Sequence, residues 1–216
     1  MKKYIQRIYL VFLVFVIFPK LCFPSENFFD AMKWYEFNYN SPNESYILAL
    51  YHEKKGDYQN AKQFFRLSAE KGFKPAALRL GVLLTNSKSN NEIDEGLLWL
   101  EKSLNYGFGE AGRILGQIFE NGIKVNKDIN KAIYYYKKSI KFGENLSYLN
   151  LIDLTLQSFE DQPNINLAIA YSYIANSKKV ENAQIILDQL LPYLKKNEWY
   201  KVEILIDLIE SEIKKM

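Results

Sequence analysis

At 216 residues, with 48% hydrophobic and 25% charged side chains, the chain has the composition of a folded globular protein rather than a disordered one. Its net charge of +3 belongs to its beginning. Residues 1–25 hold four bases and no acid, and the remainder carries 24 basic against 25 acidic residues, a net −1 that gives nucleic-acid binding no electrostatic support.

Residues 1–25 read as a targeting segment. Lys2, Lys3 and Arg7 precede an eleven-residue apolar run, Ile8 to Phe18, closed by Pro19 and Lys20. Eleven residues rise only about 16 Å as a helix, against a hydrocarbon core of roughly 30 Å. A signal peptide is therefore expected, with an uncleaved N-terminal anchor as the alternative. Cys22 is the only cysteine. It follows the bulky Leu21, whereas bacterial lipoprotein signals want a small residue there, so it reads as part of the leader. No intrachain disulfide can form, and the fold must be held by packing.

Beyond the leader, a small residue precedes an aromatic by three at Ala31/Trp34, Ala61/Phe64, Gly96/Trp99, Ala132/Tyr135 and Ala168/Tyr171, with aromatic spacings of 30, 35, 36 and 36. Eight residues after the aromatics stand the breakers Pro42, Gly72, Gly107 and Gly143, with Lys179 the exception. Such a period marks a repeat array. Residues 26–44 are expected to form a degenerate opening helix or cap, 45–180 the array, and 181–216 capping helices with a long final helix over Glu198 to Lys214.

Each period reads as two helices. The first is expected at Ser45–Lys55, followed by a turn at Gly56–Asp57 and a second helix at Tyr58–Lys71. Next come about Pro75 to Thr85 and about Ile93 to Tyr106. Glu110 to Asn121 carries an i, i+3, i+4, i+7 apolar stripe that Gly122 breaks. Asp128 then suits the N-cap of a helix ended by Gly143. Gly81 and Gly116 occupy matching positions inside first helices, where glycine costs about 1 kcal/mol relative to alanine. A recurring cost implies close approach of the neighbouring helix.

Ala111-x3-Leu115–Gly116-x2-Phe119-x2-Gly122, followed by Asp128-x3-Ala132-x2-Tyr135–Tyr136-x2-Ser139-x3-Gly143, resembles the Sel1-like repeat, a glycine-punctuated relative of the tetratricopeptide repeat. Ala77-x2-Leu80–Gly81 with Gly96-x2-Trp99-x3-Ser103-x3-Gly107 is a weaker copy, and Ala61-x2-Phe64–Phe65-x2-Ser68–Ala69-x2-Gly72 gives the second helix of another. Tyr51 and Ile152 depart from the pattern by replacing the first-helix glycine, and the loop around Glu160–Asn164 differs from the family's turn. The resemblance implies an all-α fold, a right-handed α-solenoid of antiparallel helix pairs, and a role in protein–protein interaction.

No catalytic constellation is visible. His52 is the only histidine and reads as a packing or surface residue, and no zinc spacing or phosphate-cradling loop occurs. Neither cofactor nor metal is expected, and the protein reads as a non-enzyme. In the tetratricopeptide class the first helices line a concave face. The resemblance places Leu48, His52, Lys55, Leu78, Val82, Glu110, Arg113, Gln117, Glu120, Leu149 and Asp153 there, a mixture suited to a protein or peptide partner. The leading expectation is an exported scaffold, periplasmic or secreted, touching the membrane only through residues 1–25 if these persist. The alternative is a tethered structural component of a bacterial envelope assembly.

Overall fold

The computed structural model describes residues 41–157 and 164–216. The leader with Cys22, the Ala31/Trp34 pair, residues 26–40 of the opening cap and nearly all of the Glu160–Asn164 loop lie outside the described residues. The chain divides into two compact units, Met1–Phe73 and Lys74–Met216.

The first unit pairs α1 (Pro42–Lys54) with α2 (Tyr58–Glu70). The Ser41 side chain accepts from the Glu44 amide at 3.2 Å, and the Glu44 carboxylate accepts from the Ser41 amide at 3.1 Å. This reciprocal cap satisfies two amides that the helix leaves unpaired. Pro42 sits in the first turn, where its missing N–H costs nothing. It therefore starts a helix rather than breaking one, and α1 opens three residues before the expected Ser45. Asp57 caps α2, and Ala49, Ala61 and Phe65 are fully buried between the helices.

The second unit contains α3 (Lys74–Thr85), α4 (Asn90–Asn105), α5 (Gly109–Asn121), α6 (Ile129–Lys141), α7 (Ser147–Gln157), α8 (Ile165–Ser177), α9 (Ala183–Leu190) and α10 (Trp199–Lys215), with a 3-10 turn at Leu191–Tyr193. No strand occurs among the described residues. Helices α3–α4, α5–α6 and α7–α8 pack as pairs, and α4 packs on α5, α6 on α7 and α8 on α9. The last helix departs from this order, since α10 packs on α8 and reaches back to α6.

The period is written into the turns. Gly72, Gly107 and Gly143 have φ of 91°, 94° and 88°, and Lys179 adopts φ 59° without being glycine. Each turn closes with the same bond: the amide of Phe73, Phe108, Glu144 or Val180 donates to the carbonyl five residues earlier, at 3.0, 3.2, 3.1 and 3.0 Å. This is the Schellman closure, and it holds in the fourth repeat without the residue that usually supplies it.

Gly116 is required for another reason. A Cβ there would lie 2.6 Å from Tyr136 Cδ1, so only glycine lets the ring cross α5. Gly81 stands in the same relation to Leu100, whose Cγ would be 2.8 Å from an added Cβ. Both contacts realise the close approach expected from the recurring helical glycines.

Candidate functional site

Glu110, Arg113, Gln117 and Glu120 follow one another at spacings of three and four along α5, which puts them on one face of that helix. Its other side holds Ala111, Leu115 and Ile118 in the core. Tyr136, fully buried in α6, passes over Gly116, and its hydroxyl donates to Glu120 Oε2 at 2.5 Å. Burial, reinforced by the hydrogen bond to Glu120 and by that carboxylate's charge, pushes the Tyr136 hydroxyl well above its ordinary pKa. It is held as a donor, and Glu120 is fixed in place.

Two further charges act on this hydroxyl, Arg113 on the same helix face and Asp153 from α7. Burial, and then the charge of Glu120, raise the Asp153 carboxyl above the usual aspartate range. Arg113 is half-buried, and its Nε has no hydrogen-bond partner. A buried donor left unpaired costs free energy. The structure thus brings Arg113, Glu120 and Asp153 together around a tyrosine that the sequence marked only as part of the repeat motif.

The other expected face residues separate. Glu110 is exposed in the first turn of α5, and Gln117 is half-buried with its carbonyl accepting from Asn121 Nδ2 at 2.9 Å. Leu78 and Val82 pack against the α4–α5 core, and Leu149 packs against the core of α7 and α8. In the first unit Leu48 is buried, and Lys55 is exposed, with its Nζ 5.7 Å from the centre of the Tyr51 ring. His52 is only 7% exposed. Its Nδ1 lies 3.0 Å from Asp57 Oδ2 and its ring stacks on Phe64, 5.3 Å between centres. Hydrogen bonds from Asn60, with a smaller contribution from His52, hold the Asp57 carboxyl below the ordinary aspartate range. The expected groove position at His52 is thus a packing position that ties the α1–α2 turn.

The repeat residues take the places the period assigns. Ala61 and Ala132 are fully buried, and Phe64 and Tyr135 are nearly so. Trp99 is half-buried, donates from Nε1 to Glu95 Oε1 at 3.1 Å and carries Lys102 Nζ 4.5 Å from its ring centre. Gly109 and Gly112, which sequence reasoning passed over, make close approaches too. An added Cβ would lie 2.7 Å from Glu144 Cβ and 2.9 Å from Ser139 Cβ, respectively. The available signal was the run Gly109, Gly112 and Gly116 along one helix.

Among the described residues no group of three His, Cys, Asp or Glu is placed to hold a metal ion, and no helix is long and apolar enough to cross a membrane. The Sel1 repeat family matches at residues 46–73 and 111–141, covering most of α1, all of α2, nearly all of α5 and all of α6. The chain carries Sel1-like repeats. Between the two matched Sel1 segments, α3 and α4 hold the weaker copy of the motif. The fold is similar to that of a protective antigen present in uropathogenic Escherichia coli strains and displaying an SLR fold (TM-score 0.64, 19% identity), over 86% of this chain. It is also similar to a Sel1 repeat protein from Oxalobacter formigenes (TM-score 0.59, 20% identity), over 80% of this chain and 74% of that one. The chain spans 41% of the length of the first of these. No curated protein matches it in sequence.

Proposed function

We infer that this protein is an exported, non-enzymatic scaffold whose α5–α7 face binds a segment of a protein partner. The observation that carries the reading is the patch around the Tyr136 hydroxyl. There an unpaired Arg113 Nε and two carboxylates, Glu120 and Asp153, are held by packed helices rather than by loops. Preformed charged groups of both signs suit a peptide backbone with a mixed side-chain pattern. A site already in place spares the protein the ordering cost of forming it on binding. Export rests on the charged n-region and apolar run of residues 1–25.

The test is affinity capture from a crosslinked bacterial envelope extract, using residues 26–216 as bait beside the Arg113→Ala/Gln117→Ala/Glu120→Ala variant. A partner held by the wild type and lost by the triple variant is the expected result. A partner held equally by both removes this face from consideration. Capture of no partner favours the tethered structural component.

A further inference from the structure

A second site lies away from the α5 face. The last residue of α6, the C-cap of α8 and the last turn of α10 bring Lys141, Lys178 and Lys214 around a cavity of about 320 Å³, into which Glu210 also faces. Three cations against one carboxylate leave the cavity with an excess of positive charge. A lysine at each helix end has a familiar explanation, because it offsets the negative end of the helix dipole. That explanation does not cover Tyr148. The residue is only 3% exposed, it lines the cavity, and its hydroxyl has no hydrogen-bond partner among the described residues. Burial, and then the charge of Glu210, push that hydroxyl up to about 12, so it stays protonated and able to donate. The Asn145 amide supplies a further polar group, and Ile140 and Ile213 give an apolar floor.

We propose that this cavity binds a small oxyanion-bearing ligand, a carboxylate or a phosphate, held by Lys141, Lys178 and Lys214 and oriented by a hydrogen bond from Tyr148. The volume is at the lower end of that of small-molecule pockets, large enough for a compact polyanion but not for a folded partner. Glu210 favours a ligand that also presents a hydroxyl or ammonium beside its acidic group, because a bare polyanion would meet the carboxylate unfavourably.

Isothermal titration of the full chain with citrate and, separately, with inorganic phosphate tests the assignment. Saturable binding of at least one anion is expected, and which one binds distinguishes carboxylate from phosphate recognition. Lys141→Gln/Lys178→Gln/Lys214→Gln should weaken that binding by at least about tenfold, since each charged hydrogen bond is worth roughly that factor. Tyr148→Phe should weaken it about fivefold with the melting temperature kept near that of the wild type. Raising the salt concentration should weaken it further. Two outcomes overturn the proposal: no saturable binding of either anion by the wild type, or undiminished affinity in the triple lysine variant.

Discussion

The α5–α6 and α7–α8 pairs end in the same closing turn, at Gly143 and Lys179, yet they fill their interiors in opposite ways. In α5, Gly116 removes a side chain so that the Tyr136 ring can cross the helix. In α7, Ile152 occupies the matching place and is itself buried in the core. The difference follows from the neighbours. Between α7, α9 and α10, helix α8 is apolar nearly all round, burying Ala168, Ile169, Ala170, Tyr171, Ile174 and Ala175. At the matching place α7 supplies volume with Ile152, whereas α5 leaves space that the Tyr136 ring fills.

Exchanging the two solutions breaks the comparison most severely. Ile152→Gly empties the α7–α8 core and adds a helical glycine, and it should cost about 4 kcal/mol in chemical denaturation. Gly116→Leu forces a branched side chain into the Tyr136 ring and should cost about 3 kcal/mol. A melting temperature unchanged by Gly116→Leu would disprove the close-approach account. The turns sharpen the contrast more gently. Lys179→Gly should stabilise the fold by about 1 kcal/mol by relieving left-handed backbone strain, and Gly143→Ala should destabilise it by a similar amount.

Smallest is a pH effect at the face. The folded pKa of Asp153 lies above its unfolded value, so its contribution is present below the ordinary aspartate pKa and is lost as pH rises through the raised one. Asp153→Asn should therefore melt slightly higher than wild type at pH 7 and level with it near pH 3. Equal melting temperatures at both pH values would show that Glu120 and burial exert no net strain on this carboxyl.

Much of the helical plan was legible because its signals are local. The Ala/aromatic spacing, the glycines eight residues beyond it, the Gly56–Asp57 turn and the Asp128 cap each act within one or two turns of chain. Pro42 misled because proline both ends helices and begins them, and only the Ser41–Glu44 cap decides which. The site was half legible. The register implied by the resemblance put Arg113, Gln117 and Glu120 on one face. The inclusion of Tyr136 depends on a ring threading past Gly116, which no periodicity records. His52 was drawn onto the same register, but the partner that fixes it, Asp57, lies beyond the end of its helix.

The return of α10 to α6 alters how the second unit would come apart. In a strictly linear array each helix pair touches only the next, and stability frays stepwise from the ends. Here Lys137 in α6 is held 2.7 Å from Glu212 in α10, across 75 residues of chain. The terminal helix cannot detach without exposing α8 and releasing α6, so α6, α8 and α10 should exchange their amide hydrogens as one cooperative block. Helix α10 is thus the clasp of the second unit.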